Sequence, residues 1–307
     1  EILNVPIVVH PRDCVDKEYI QANIKENMSL IDKDKFLGKC RPNDGDVIVI
    51  SGGHSTDYDK VKELMKENPE AKTMCVKHSY PHLLANGIKP WACVVLDPRS
   101  IEGESTHGIV RKDLFKTVDP STKFFVASMT DPSVTKYLIE KKANIYGWHA
   151  FTESLRNEAE REQEIKDQKI TVMEDLGIPE GATLITGGTC AAMRVLGIMH
   201  TMGFRKFHLF GFDSSMENEP TDEQKKETTG AEDEEPKPKY LLVNVRGENF
   251  WTTGELLAMA QDCERVFNDT TMSMTLNLYG ENSLVNALWK LHLDENKIPN
   301  FEDVFSD

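Results

Sequence analysis

The sequence predicts an α/β fold with a mostly parallel sheet covered by helices on both faces. Two observations carry that prediction. Short apolar runs rich in β-branched residues recur along the chain, at Val47–Ser51, Thr73–Lys77, Ala92–Asp97, Lys123–Ser128, Ala143–Tyr146, Thr183–Thr186, Lys206–Phe212, Tyr240–Val245 and Met274–Tyr279. Helical patterns separate most of them, at Asp57–Lys66, Ser133–Lys142, Thr189–Met202 and Gly254–Phe267. A strand that is apolar along its whole length needs cover on both sides, and alternation with helices supplies it.

Composition narrows the partners. The chain has 307 residues, 39% of them apolar, enough for one large core. Its 36 basic and 51 acidic side chains leave a net charge of −15, which disfavours nucleic acid and anionic membrane surfaces as partners. No apolar run approaches the roughly 20 residues needed to cross a bilayer, and no signal segment is evident. The six cysteines are scattered without a Cys-x-x-Cys pair, and Cys75 and Cys93 fall inside apolar strands. A reducing, cytoplasmic setting is therefore expected, with no zinc site.

Two stretches depart from the alternating pattern. Thr152–Asp175 is densely charged and reads as a solvated helix. Glu217–Lys239 contains no large apolar side chain, so burial cannot offset the entropy of ordering it. It is expected to be a mobile acidic loop, with a lid over the site as the functional alternative. The organisation read from these signals is an N-terminal extension (1–42), a core (43–215), the acidic loop (216–239) and a strand and helix extension packed on the core (240–307).

Ligands of open parallel sheets bind beyond the carboxyl ends of the strands. The first strand runs into Gly52, Gly53, His54, Ser55 and Thr56, then a helix. Glycines let backbone approach a ligand, and the first helical amides point toward it unpaired. Thr56 and Asp59 have the spacing of a capping box. The same grammar recurs where Thr183–Thr186 runs into Gly187, Gly188 and Thr189. Both turns are expected to bind nucleotide phosphate in one shared crevice, although each could be a plain strand-to-helix turn.

Asp97 closes one apolar strand and Asp213 another, so either carboxylate could meet a metal, a ribose hydroxyl or a substrate amine. The alternative for Asp97 is a cap on the Asp-Pro turn. On the ligand reading its carboxylate emerges at the edge of the site, and Asp97→Asn removes activity with little effect on stability. Arg99 could fork a phosphate. His78, after the second strand, and His149, after the fifth, could serve as general base or phosphate donor, with an ordinary loop role as the alternative.

Taken in order, DVIVISGGHS, CVKHSYPHLLANGIKPWACVVLDPRS and TLITGGTCAAMRVLGIMHTMGFRKFHLFGFDSS resemble the MptE-like family over roughly Asp46 to Ser215. The weaker segment Tyr240–Leu284, ending NLYGENSLV, resembles an extension of bacterial members. The resemblance implies a Rossmann-like fold and two chemistries. Archaeal members transfer diphosphate from ATP, with Mg²⁺, to a hydroxymethyl-dihydropterin. Bacterial members resemble motility-associated proteins that glycosylate flagellin, and their core is similar to that of sialyltransferases using CMP-sugars. By that resemblance the loops Gly52–Ser55 and Gly187–Thr189 hold the nucleotide, Asp97 and Asp213 line the crevice, and Asp97 is the expected Mg²⁺ ligand. The expected function is a nucleotide-dependent transferase acting on a hydroxyl acceptor, or a non-catalytic nucleotide-binding protein. Two features depart from the family: a single Asp97 stands where archaeal enzymes pair acids, leaving Glu102 and Glu104 as substitutes, and GGHS carries His54 where proline is frequent.

Overall fold

The computed structural model describes residues 15–105, 108–151, 183–185, 187–188, 190–230 and 236–296, with the isolated positions 163 and 166. Its centre is an eight-stranded parallel sheet. Six strands follow one another outward: β1 (Asp46–Ile50), β2 (Lys72–Val76), β3 (Ala92–Val95), β4 (Lys123–Ala127), β5 (Asn144–Ala150) and β6 (Leu184–Ile185). The chain then crosses back to lay β7 (Lys206–Phe210) on the other side of β1. Eight helices are described: α1 (Lys17–Leu30), α2 (Tyr58–Glu67), α3 (Tyr80–Ala85), α4 (Arg111–Leu114), α5 (Pro132–Glu140), α6 (Ala191–Thr201), α7 (Gly254–Asn268) and α8 (Leu284–Glu295).

The strand pleat explains why both faces are buried. In β1, Val47 and Val49 point into a core shared with α6, α7 and α8, while Ile48 and Ile50 point into one shared with α2, α3 and α5. All four are at most 1% exposed, which is why the run DVIVI shows no polar alternation. Two-faced cover is what the α/β reading requires.

The short strands β8 (Thr228–Thr229) and β9 (Lys237–Pro238) pair with each other. Tyr240–Val245 corrects the sequence reading: it is β10, and lies outside the main sheet. It pairs antiparallel with β11 (Glu248–Thr253), a strand the sequence reading lacks. The connecting residues Arg246 and Gly247 both have positive φ, 49° and 91°, the twist that suits a two-residue hairpin. Arg-Gly is a weak form of that signal beside Asn-Gly or Asp-Gly. The main sheet is completed at its edge by β12 (Thr275–Leu278), paired with β7.

The expected charged helix at Thr152–Asp175 falls outside the described residues except at positions 163 and 166. Residues 231–235 of the acidic loop do so as well. Its described part contains a 3-10 turn, Gln224–Lys226, and the β8–β9 pair. Charges of both signs meet locally there, Lys225 with Glu219 at 2.5 Å and Lys239 with Glu227 at 2.6 Å.

Residues expected as an N-terminal extension build α1, which braces the carboxyl edge of the sheet. Asn27 Nδ2 donates to the carbonyls of Ser128 and Thr130 at 2.8 and 2.6 Å. Asn23 Nδ2 donates to those of Pro98 and Met129, both at 3.2 Å, and Tyr19 donates to Asp131. The loops after β3 and β4 are thus tied to one helix. Among the described residues no helix is long and apolar enough to cross a membrane, and five cysteines are free. Cys75 and Cys93 are both buried and stand in register across β2 and β3.

His149 is a further correction. It lies within β5 rather than in a loop after it, is 4% exposed, and shares a 2.6 Å hydrogen bond with Ser128 Oγ. Burial, aided by the charge of Arg194, lowers its pKa to about 4, so the folded state holds it neutral. A depressed folded pKa means the contribution is full above the unfolded value of about 6.5 and is lost as pH falls through the folded one. Stability is therefore expected to fall by on the order of 3 kcal/mol between pH 6.5 and 4 through this residue alone. Urea melts across that window should show the slope in the native chain and a flatter one in His149→Gln. Equal slopes would refute the assignment.

Candidate functional site

The return of the chain from β6 to β7 creates a switch point between β1 and β7. Neighbouring strands there send their connections in opposite directions, leaving a crevice at their carboxyl ends. Four adjacent strands, β7, β1, β2 and β3, deliver the polar residues of that edge.

At the switch point the β1–β7 ladder continues past both strands. Ser51 N donates to Phe210 O at 2.9 Å and Gly53 N to Gly211 O at 3.0 Å. Asp213, 2% exposed, then reaches under the glycine loop. Its Oδ2 accepts from Ser55 N at 2.8 Å and lies 3.2 Å from His54 Nδ1; its Oδ1 accepts from Ser55 Oγ. A Cβ on Gly53 would collide with Gly211 O and Asp213 Oδ2, so glycine is needed there for close approach. Gly280, at φ 112°, closes the loop from the β12 side: a Cβ on it would stand 2.5 Å from Ser55 Oγ.

These contacts alter the role expected for the loop. The helix cap is Asp57, which accepts from Asp59 N and Lys60 N at 3.0 Å each; Thr56 donates to Gly53 O instead of heading a capping box. The amides of Gly53, Ser55, Asp59 and Lys60 are all engaged within the protein. Within Gly52–Ser55 itself, the engaged amides are those of Gly53 and Ser55.

Positive side chains gather one and two strands away. Asp97 is 1% exposed, a correction to the expectation that its carboxylate emerges at the edge. Three cations converge on it: Lys77 Nζ on Oδ2, Arg111 Nε on Oδ2 at 2.7 Å, and Arg99 Nε on Oδ1 at 2.9 Å. Arg99 N also donates to Oδ1 at 3.1 Å, so the turn-capping role holds as well. Burial would raise the Asp97 pKa, but hydrogen bonds from Arg99, Lys77 and Arg111 outweigh it and hold the carboxyl well below the usual range. Burial pushes the Lys77 ammonium down against the pull of Asp97, and the two guanidinium groups push the same way as burial. Lys77 and Arg111 are buried, while the Arg99 side chain is 33% exposed.

The remaining site residues fall in different places. His78 is half-buried beside the glycine loop, its Cβ 3.7 Å from a Cβ built on Gly52. Glu102 pairs on the surface with Lys112 at 3.2 Å. Gly187 and Gly188 take φ of 140° and 61°, and a Cβ on Gly188 would stand 2.6 Å from Asp262 Oδ2. Their strand β6 is five strand spacings from β1, roughly 24 Å, so the structure does not bring the two glycine turns together. Thr189 lies outside the described residues. Among the described residues no group of three or more His, Cys, Asp or Glu could hold a metal ion.

Sequence reasoning missed Lys77 and Arg111 as site residues, and Gly280 with them. Lys77 carried a signal, since it closes a strand just as Asp97 does. Arg111 carried none, because 14 residues separate it from the carboxylate it meets.

Residues 18–219 match the family described as 6-hydroxymethylpterin diphosphokinase MptE-like. The match begins inside α1, consistent with its bracing of the site loops. A solved structure, the MAf glycosyltransferase from Magnetospirillum magneticum AMB-1, superposes with a TM-score of 0.51 over 92% of this chain, at 12% identity. The likeness is one of fold, and this chain spans 42% of that protein's length. No curated protein matches the sequence.

The burial of Asp97 reverses the expected outcome of its substitution. Asp97→Asn leaves Lys77 and Arg111 buried without their counter-charge, which costs about 3–5 kcal/mol for a broken buried pair. Chemical denaturation should register the loss in the absence of any ligand. A change within about 1 kcal/mol would return Asp97 to the role of an exposed site acid.

Proposed function

The chain belongs to the MptE-like family, and from that premise we propose that it is a nucleotide-dependent transferase. It holds the phosphate of a donor at the switch-point crevice and passes a group to a hydroxyl acceptor. The observation that carries this reading is the convergence of Lys77, Arg99 and Arg111 on the single carboxylate of Asp97. Two of these cations, Lys77 and Arg111, are buried with that single carboxylate. An anion entering beside Arg99 adds negative charge to the cluster, and it favours the Lys77 ammonium that burial disfavours. A phosphate leaving group would gain the same stabilisation as charge develops on it.

The choice of transferred group follows from how Asp97 is used. A Mg²⁺ ligand presents carboxylate oxygens to the ion and keeps water and phosphate oxygens around it. The oxygens of Asp97 face two guanidinium groups and an ammonium, whose charges repel a divalent cation. These residues do not fit a Mg²⁺ site, and no step is assigned to a metal. The reading favoured is glycosyl transfer from a nucleotide-sugar, with side-chain cations in the part a metal plays elsewhere. Diphosphate transfer from ATP, the chemistry in the family's description, is the second reading.

Thermal shift with CMP-sugars, ATP and GTP, each with and without Mg²⁺, separates the two. A nucleotide-sugar is expected to stabilise the protein without Mg²⁺, by about 2.7 kcal/mol at 100 times its dissociation constant. Arg99→Met also removes two hydrogen bonds from the buried Asp97, so its response is read against its own unliganded melting point, and the gain should be abolished. Stabilisation by ATP only with Mg²⁺ would favour diphosphate transfer, and stabilisation by none of the three would end the nucleotide reading.

A further inference from the structure

Residues that follow β7 and β12 enclose a groove together with the hairpin β10–β11. We propose that this groove binds a neutral glycan and, resting on the transfer reading, that the glycan supplies the acceptor hydroxyl. Its volume is about 610 Å³, within the range of small-ligand sites. Leu242 and Trp251 give it an apolar wall, and Asn218, Asn282, Glu217 and Glu248 set carboxamides and carboxylates around that wall. Among the described residues that line it there is no Lys, Arg or His.

The strand pleat explains the apolar wall. Val243, Val245, Phe250 and Thr252 face inward and are at most 8% exposed, so they already anchor the hairpin. Leu242 and Trp251 stand opposite each other on the outer face, and Leu242 is 52% exposed. Such a cross-strand pair steadies a hairpin, but that role calls for no polar frame. Here Glu217, Asn218, Glu248 and Asn282 make no side-chain hydrogen bond or ion pair among the described residues. Glu219 and Glu227, from the same acidic loop, each pair with a lysine instead. The ammonium of Lys225 lies over the Trp251 ring, 5.2 Å from its centroid, and is held there by Glu219. The indole is thereby steadied before a ligand arrives.

This lining selects the ligand class. A pyranose presents C–H groups on its faces and hydroxyls around its edge. The faces pack on an indole, while carboxylates and carboxamides bond the hydroxyls. A phosphate or an acidic sugar would instead meet Glu217 and Glu248 with no lining cation to offset them. The donor therefore belongs to the cations around Asp97, and the acceptor to the groove. Two ties hold the groove beside the switch point. Met216, shortly after Asp213, donates its N–H to Trp251 O at 2.8 Å. Asn282, at φ 58°, precedes a turn in which Leu284 N donates to Ser215 Oγ at 3.0 Å. The Asp97 cluster lies beyond β2 and β3, two to three strand spacings from β7, roughly 10–14 Å. In the transfer step a glycan hydroxyl oxygen bonds to the transferred group and its proton passes to water. The bond from that group to the nucleotide phosphate oxygen breaks, with its electron pair on that oxygen.

An array of neutral and acidic oligosaccharides, probed with the full chain, tests the binding, and titration calorimetry with a retained oligosaccharide measures it. Neutral glycans are expected to be retained and acidic ones rejected. Trp251→Ala and Asn282→Gly should each weaken the affinity at least about 10-fold. Glycine accepts the left-handed backbone of position 282, so the second variant removes the carboxamide without strain. Thermal melts reveal whether Trp251→Ala has merely lost its hairpin, in which case Asn282→Gly decides. Retention of acidic glycans, retention of none, capture of polar peptides in their place, or full affinity in Asn282→Gly would each overturn the assignment. Transfer from a CMP-sugar or Mg-ATP to the retained glycan is then measured. A chain that binds the glycan and transfers nothing loses the transfer reading and keeps the binding site. A chain that transfers to another acceptor and binds no glycan loses the site and keeps the transfer reading.

Discussion

Pairing of β7 alongside β1 is the constraint on which the rest of this site depends. It is the one large crossover of the sheet, and it brings residues 158 positions apart, Ser55 and Asp213, into hydrogen-bond contact. Without it the glycine loop after β1 would have no carboxylate beneath it, and Gly53 would have no reason to lack a side chain. The parallel register also sets the depth of contact. Ile50 stands opposite Phe210, so the two chains leave the sheet together and their next residues continue the ladder. Loop positions are thereby inherited from a core in which β1 is almost wholly excluded from water.

Two buried aspartates at this edge do opposite things because their neighbours differ. Asp213 accepts from the amide and hydroxyl of Ser55 and lies 3.2 Å from His54 Nδ1, so its charge organises a loop. Asp97 is surrounded by formal cations, so its charge is consumed in holding them together. The result is a cluster of three basic side chains around one carboxylate in a protein whose net charge is −15.

Much of this is legible in the sequence, and the reason is physical. Strands buried on both faces read as unbroken apolar runs, so β1 to β7 stand out, as do the loops at their carboxyl ends. Gly52–Ser55 and Asp213 are each marked by their place at the end of a strand, and the structure joins them. The features that escape depend on long-range pairing. Tyr240–Val245 has the composition of a sheet strand, and only its partner Glu248–Thr253 decides that it forms a hairpin apart. Gly187–Gly188 has the same local grammar as Gly52–Gly53, yet its distance from the switch point is set by strand order, which local pattern does not encode. Arg111 lies on a one-turn helix with no periodicity to mark it.

Asp97 departs from its sequence expectation for a reason that lies in its neighbours. A polar residue that closes an apolar strand is expected to face the ligand, because burial of an isolated carboxylate is costly. The cost is met when cations are buried with it, and Lys77, the first residue past β2, reaches Asp97, the second past the adjacent β3. Two strand-closing residues of opposite charge on adjacent parallel strands lie close enough to pair, and once paired both can leave water. The glycine loop shows the converse. Glycine exposes backbone and so suggests available amides, but Asp213 and Asp57 occupy several of them.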